Sequence, residues 1–506
     1  MSDSASSTPQ YNSGDIAWTL TSTALVWLMI PGLGYFYSGM ARSKNALSLI
    51  MLSAISIAVV SFQWWLWGYS LTFSRGANRF IGNLDNAFLR GVLGGPSIAS
   101  SNVPDLVFCV FQCMFAAITP ALAIGSAAER ARILPTIIFI FIWSTVVYDP
   151  IACWTWNPAG WSAQMGGLDY AGGTPVHISS GFASLAYCVI LGKRQGHGKE
   201  DFKPHNMSNV VLGTALLWFG WFGFNGGSAL GGNMRAAMAC VVTNLAASTA
   251  AITWMLLDYR YERKFSALGF CSGAVSGLVA ITPASGFVGP AAAVAIGFVG
   301  AIACNIAVKL KHRFNFDDAL DVFAVHGIGG IVGNLLTGLF AEQYIAALDG
   351  TVIEGGWINH NWIQLARQLA DACAGAAWSF GITFIILFIM DRIPGLSLRV
   401  DPEVELRGLD AEEIGEAAYY HVEKVIRVDP ETNEPKVVEE VHQQVRSPNA
   451  DYISGAEGTI GAAQVASVID VDENGKEHVR QLEQISSPTL SGTHFRQNAP
   501  SALNNV

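Results

Sequence analysis

The feature that most constrains this chain is the recurrence of long apolar segments without Asp, Glu, Lys or Arg, such as 46–74 and 265–308. About 20 apolar helical residues cross the hydrocarbon of a bilayer. The Pro and Gly residues of 282–286 divide the second segment into two helices. We predict an all-α polytopic membrane protein whose eleven spans are roughly 16–36, 48–73, 105–127, 133–151, 174–192, 206–224, 236–257, 266–282, 286–308, 320–341 and 366–390.

Basic residues between the spans predict the orientation. If residues 1–15 are extracellular, alternate loops hold fourteen Lys and Arg residues, and the opposite loops hold only five, Arg75, Arg79, Arg90, Arg235 and Arg367. The positive-inside rule places the richer set in the cytosol. An odd number of spans then leaves the C-terminus in the cytosol as well.

The C-terminal region differs in charge from the rest of the chain. Residues 392–506 contain 20 acidic and 10 basic residues, and the first 391 residues balance at 19 of each. We therefore divide the chain into an extracellular segment, 1–15, a membrane domain, 16–391, a structured cytosolic segment, 392–420, and a regulatory tail, 421–506. Because the tail is rich in polar residues and glycine, we predict that it is mostly disordered.

Two histidines stand out within the apolar spans. His177 and His326 each follow a valine and have an aspartate eight positions earlier, Asp169 and Asp318. An ionisable side chain at membrane depth is by default a functional candidate, and a hydrogen-bonded core histidine is the alternative. Because the histidines fall in the fifth and tenth spans, we predict two inverted five-helix halves with a substrate path at their interface.

Aromatic residues in or near several predicted spans are a third feature. Phe115 lies in the third span, Trp156 follows the fourth, and Trp221 and Phe224 end the sixth before Ser228. Such residues are common as interfacial anchors. They also suit a cage in which ring faces attract a small cation and a serine oxygen accepts a hydrogen bond from it. Sequence order alone leaves both interpretations open.

Four segments carry a resemblance to a known family. Residues 169–178 (DYAGGTPVHI), 317–327 (DDALDVFAVHG), 125–130 (GSAAER) and 221–228 (WFGFNGGS) resemble motifs of the Amt/Mep/Rh ammonium transporters. The similarity covers about residues 16–420. Within the family the chain looks most like the fungal high-affinity permeases, because it has histidine at both pore positions, whereas lower-affinity fungal members often have glutamate in place of His177.

The resemblance implies roles for the singled-out residues. Trp156, Phe115 and Ser228 would recruit ammonium, and Phe115 and Phe224 would form a gate. His177, His326 and Trp221 would line the pore, while Asp169 and Asp318 would support deprotonation and helix contacts.

The resemblance also implies a function and partners. The chain would be a homotrimeric plasma-membrane transporter, with one pore per subunit, that takes up ammonium or methylammonium electrogenically for nitrogen assimilation. Ammonia and the proton would cross separately. Two alternatives stay open, an ammonium sensor that signals nitrogen limitation through its tail and a passive channel for ammonia or carbon dioxide. We expect neither an enzyme nor a cofactor, metal or nucleic-acid partner.

The tail contains two candidate regulatory positions. Ser447 precedes Pro448, and Ser487 precedes Pro488. Phosphorylation in such a segment adds charge and would move the tail, which would require a kinase or signalling partner. An unmodified linker is the alternative.

Overall fold

The computed structural model describes residues 11–419 and the backbone of four strands further along the chain. Eleven long helical stretches make up the membrane domain. We number them α1 Ser13–Met40, α2 Ser43–Phe73, α3 Asp105–Ala127, α4 Ile133–Met165, α5 Gly173–Leu191, α6 Met207–Gly227, α7 Met234–Glu262, α8 Ala267–Ile281, α9 Pro290–Phe314, α10 Phe323–Phe340 and α11 Gln364–Met390.

Ten of these stretches are long and apolar enough to cross a membrane. The exception within the described residues is α8, an apolar helix of 15 residues. At 1.5 Å per residue such a helix is about 22 Å long, shorter than the hydrocarbon of a typical bilayer. A multi-pass membrane protein is therefore supported, and the count of eleven complete spans stays a prediction.

The first helices of the two predicted halves, α1 and α6, pack closely against each other. A Cβ atom on Gly213 of α6 would lie 2.4 Å from the backbone nitrogen of Phe36, and one on Gly32 of α1 would lie 2.8 Å from Cβ of Leu216. Small residues allow such close approach of helix backbones in membranes. Packing at this seam therefore depends on glycine in both helices.

Four segments of the membrane domain adopt π-helical turns, which are rare and often occur at functional sites. Two lie inside α2 and α4, and two open α5 and α10. The latter pair, Gly173–Ile178 and Phe323–Ile328, carry the two histidines. Both histidines therefore enter the bundle from the first turns of corresponding helices.

The segment after α11 packs against loops of the membrane domain. It contains the short helix α12, Pro402–Arg407, and a π turn, Asp410–Ile414. The carboxylate of Asp410 accepts hydrogen bonds from the backbone N–H groups of Leu47 and Ser48 at 2.8 Å each. Asp410 thereby satisfies donors at the start of α2 that the helix leaves unpaired.

The described backbone beyond residue 420 forms an antiparallel sheet, and the mostly disordered character of the tail stays a prediction. Its strands are β1 His421–Val428, β2 Pro435–His442, β3 Val465–Val471 and β4 Glu477–Glu483. They pair in the order β1-β2-β3-β4. The strands are rich in Val and Ile, which favour strands, whereas the prediction rested on the average composition of the whole tail.

Candidate functional site

The two histidines meet in the interior of the membrane domain. Their Nδ1 atoms lie 3.2 Å apart, and the rings are tilted by 31°. His177 is 1% exposed and His326 is 5% exposed. Two neutral imidazoles at this distance share one N–H, with one ring as donor and the other as acceptor. The predicted pairing of residues 149 positions apart is therefore present in the structure.

Aromatic rings cover His177. The indole of Trp221 stacks on its ring with centroids 5.5 Å apart, and Phe224 stacks at 6.1 Å. The indole N–H of Trp221 donates to the hydroxyl of Thr282 at 2.9 Å, which fixes the ring in place. The ring of His177 is therefore covered by apolar aromatic rings.

A pair of phenylalanines lies next to this stack. The ring centroids of Phe115 and Phe224 are 4.3 Å apart, and both side chains are buried. Phe115 also meets Trp156 edge to face at 5.9 Å. Trp156, Phe115 and Phe224 thus form a continuous aromatic series that ends at His177.

Ser228 lies beside this series. Its hydroxyl donates to the carbonyl of Phe224 at 2.8 Å. The hydroxyl oxygen keeps lone pairs that can accept a hydrogen bond from a ligand. The structure therefore links Ser228 to the predicted gate through the backbone of Phe224.

Asp169 caps the turn that carries His177. Its carboxylate accepts hydrogen bonds from the backbone N–H groups of Gly172, Gly173 and Thr174 at 2.7–2.8 Å. Gly172 has a φ of 113°, a left-handed conformation that favours glycine. Burial, together with the nearby charge of Asp371, raises the pKa of Asp169 to about 7. Trp156 donates its indole N–H to the carbonyl of Asp169 at 3.1 Å.

Asp318 caps the corresponding turn before His326. One carboxylate oxygen accepts from the backbone N–H of Phe323 at 2.8 Å. The other is buried without a hydrogen-bond partner among the described residues. Burial, with Asp321 nearby, raises the pKa of Asp318 to about 6.

A cavity of about 450 Å³ extends from the histidine pair. Near the pair its walls are mainly apolar, and further away they include charged residues. The lining includes Trp221, Leu33, Val325, Asp258, Glu262 and Lys309. A small neutral molecule would cross the apolar part at lower cost than an ion, because desolvating a charge is expensive.

The described residues contain no group of three or more His, Cys, Asp or Glu side chains that could hold a metal ion.

The chain matches the model of the Ammonium Transporter Family over residues 17–419. It belongs to that family. Ammonium transporter 1 of Schizosaccharomyces pombe is 58% identical over 424 residues, covering 83% of this chain and 85% of the relative. Ammonium transporter MEP2 of Saccharomyces cerevisiae is 49% identical, covering 81% and 84%. The crystal structure of Candida albicans Mep2 is 50% identical, with a TM-score of 0.76 over 84% of this chain and 94% of that one.

Membership in the Ammonium Transporter Family confirms the resemblance drawn from the four motifs, and the matched region agrees with the predicted range of about 16–420. The family consists of transporters and not of enzymes, as predicted. The roles of individual residues and the assembly stay predictions.

A polar network lies beneath the first histidine turn. Asp371 of α11 accepts hydrogen bonds from Ser162, Thr174 and Asn334. Its partners come from three distant parts of the chain, so spacing could not identify them.

Two candidate positions in the tail have no structural account. Ser447 and Ser487 lie outside the described residues.

Proposed function

We propose that this family member transports ammonium by conducting ammonia past the His177–His326 pair while the proton moves separately. The observation that carries the proposal is the 3.2 Å contact between the histidine Nδ1 atoms, on an apolar part of a cavity. Ammonium and potassium have similar size and charge, so an aromatic site alone discriminates poorly between them. Ammonium can release a proton, and the resulting ammonia avoids the desolvation cost that excludes a cation.

Ammonium would first meet the aromatic series. Trp156 and Phe115 would attract the cation through their ring faces, and Ser228 would accept a hydrogen bond from it. Phe115 and Phe224, with ring centroids 4.3 Å apart, would form the gate between this recruitment site and the pore. Trp221 would line the path beside His177.

Asp169 would support deprotonation through the electric field and through the turn that it caps. Burial raises its pKa to about 7, so this carboxyl group can both accept and release a proton near neutral pH. Asp318 would play the corresponding part at the other end of the path. The paired imidazoles would offer the proton a route of hydrogen-bonded nitrogens.

The proposal also includes the membrane, the assembly and the orientation of the transporter. The chain would be a plasma-membrane homotrimer with eleven spans, an extracellular N-terminus and a cytosolic C-terminus. The contact of Asp410 with α2 would connect the cytosolic segment to the membrane helices. Phosphorylation at Ser447 or Ser487 would act through this segment.

Electrical recordings test this function directly. Purified protein in liposomes receives ammonium or potassium jumps, and the current is measured for wild type, His177→Ala, His326→Ala and the control His312→Ala. His312 is exposed at the end of α9. We expect ammonium-evoked current in wild type and in the control, and potassium current only in the two pore variants.

The same recordings separate the alternatives. If the wild type gave no ammonium-evoked current but still equilibrated ammonia across the membrane, the chain would be a passive gas channel. Unchanged selectivity in both pore variants would contradict the role given to the histidine pair. A sensor function would require signalling that persists in a variant with normal folding and no transport.

A further inference from the structure

A buried arginine lies outside the residues used so far. Arg235 is the second residue of α7 and is 6% exposed. A positive charge at a helix N-terminus opposes the helix dipole, and burying a charge is costly unless it is well paired. The contacts of Arg235 must therefore offset two unfavourable terms.

Those contacts connect separate parts of the chain. The guanidinium donates from Nε to the carbonyl of Gly286 at 2.8 Å and from Nη1 to the hydroxyl of Thr351 at 2.8 Å. Nη1 also lies 3.4 Å from a carboxylate oxygen of Asp349. The guanidinium carbon lies over two rings, 4.8 Å from the centroid of Tyr170 and 5.0 Å from that of Phe287.

Tyr170 is the residue through which Arg235 reaches the site. Its backbone N–H donates to the carbonyl of Pro283 at 3.0 Å. A Cβ atom on Gly286 would lie 2.1 Å from the tyrosine ring, so the 283–287 turn fits tightly against Tyr170. Arg235 binds that turn and covers the ring, which fixes Tyr170 from two sides.

Tyr170 directly follows Asp169, whose carboxylate caps the turn that carries His177. A Cβ atom on Gly173 of that turn would lie 2.7 Å from Cβ of Pro283, so the same 283–287 turn supports the cap as well. A displacement of Tyr170 would therefore move Asp169 and the first residues of α5 together.

We propose that Arg235 is a positioning residue for transport, which holds Asp169 and the His177 turn in place through Tyr170 and the 283–287 turn. The proposal rests on the proposed function, because its readout is ammonium selectivity. Arg235 touches neither histidine in this arrangement and acts through its neighbours.

The main test compares Arg235→Met with Arg79→Met in liposomes. Arg79 is exposed and belongs to the same predicted extracellular set, so its substitution removes the same charge without these contacts. We expect the ammonium current of Arg235→Met to fall roughly ten- to hundredfold, as small displacements at a reaction site do. Its ratio of ammonium to potassium current should fall and its pH profile should shift, whereas Arg79→Met should behave as wild type.

Three further variants keep the proposal falsifiable if Arg235→Met folds poorly. Arg235→Lys retains the charge but loses the planar fork, so we expect partial recovery of current and selectivity. Tyr170→Leu removes the ring and should reproduce the changed selectivity and pH profile, with a smaller loss in Tyr170→Phe, which keeps the ring. Combining Arg235→Met with Tyr170→Leu should add little to either single effect.

The outcomes distinguish this proposal from the proposed function. Folded Arg235→Met, Arg235→Lys and Tyr170→Leu proteins with wild-type selectivity and pH profile would overturn the role of Arg235 while leaving ammonium transport intact. A lower melting temperature with an unchanged current ratio and pH profile would make Arg235 purely structural, which also overturns it. An electrically silent wild type would overturn both.

Discussion

The turns that carry His177 and His326 meet at one point of the cavity but are held there differently. In the first half, Asp169 accepts three backbone hydrogen bonds and Thr174 joins the turn to Asp371 of α11. In the second half, the equivalent Asp318 accepts one such bond from Phe323. The aspartate that caps the first turn therefore accepts more backbone hydrogen bonds than the one that caps the second, and we expect the first cap to tolerate less change.

Two glycines, each four residues after a histidine, sharpen this comparison. A Cβ atom on Gly181 would lie 2.2 Å from the backbone nitrogen of Gly327, whereas one on Gly330 would meet the side chain of Ile178 at 2.9 Å and the backbone carbonyl of Gly173 only at 3.1 Å. Overpacking typically costs 1–3 kcal/mol, and backbone yields less readily than a side chain. We predict that Gly181→Ala destabilises the protein by about 3 kcal/mol and abolishes transport, and that Gly330→Ala costs about 1 kcal/mol.

Thermal unfolding in detergent and current per folded molecule check this prediction. Gly381→Ala on α11 is the control, because no atom lies within 4 Å of the added Cβ. Equal effects at Gly181 and Gly330 would mean that the two turns yield equally.

The aspartates provide a second contrast. Asn at position 169 keeps one acceptor oxygen for three N–H donors, and an unsatisfied buried donor costs about 1–3 kcal/mol. We predict a loss of about 2 kcal/mol and more than tenfold lower current for Asp169→Asn, against less than about 1 kcal/mol for Asp318→Asn. Chemical unfolding and liposome currents measure both, and a larger effect at Asp318 would reverse the assignment of the tighter turn.

Thr174→Val tests the link to α11. It removes the hydroxyl that donates to Asp371 and accepts from Asn334 at 2.9 Å. We expect a loss of about 1.5 kcal/mol, and Thr174→Ser should restore most of it because it retains the hydroxyl. Wild-type stability in Thr174→Val would show that Asp371 does not hold the first turn.

The pH dependence of stability also distinguishes Asp169 from Asp318, with an effect smaller than those of the substitutions above. Burial raises the pKa of Asp169 to about 7 and that of Asp318 to about 6, both from 3.8. The folded state binds these protons more tightly than the unfolded state, so the contribution of these two groups to stability is largest below about pH 4 and is lost as the pH rises through each folded pKa. Of these two groups, mainly Asp169 titrates between pH 6 and 7. We predict that the free energy of unfolding falls by about 1 kcal/mol over this interval.

Melting curves of wild type and Asp169→Asn at pH 5 to 8 check this prediction. The fall between pH 6 and 7 should be absent in Asp169→Asn and retained in Asp318→Asn. A fall that persists in Asp169→Asn would have to come from another group.

Much of the fold and the centre of the site could be predicted from the sequence. Charge-free segments located the spans because the bilayer requires uninterrupted apolar helices. The cost of an ionisable group at membrane depth marked His177 and His326, and their equal spacing from Asp169 and Asp318 reflects a shared cap. These features depend on local sequence or on a repeat, and both are visible without coordinates.

Other features depend on contacts that spacing does not encode. The hydrogen-bond partners of Asp371 and the contact of Arg235 with the Tyr170 ring join residues far apart in the chain. The sequence distinguishes Arg235 only as one of five basic residues in the loops predicted to be extracellular. The sheet beyond residue 420 was missed because average composition hid short runs of strand-forming residues.

The contact between Gly181 and Gly327 limits how the cavity at the histidines can change in width. Where two main chains already touch, neither can be brought closer, and any added carbon can only push them apart. The closest approach of α5 and α10 beside the histidines is therefore set by main-chain atoms. Substitution of lining side chains can change the polarity of the cavity wall. It cannot narrow the cavity by bringing these two helices closer together.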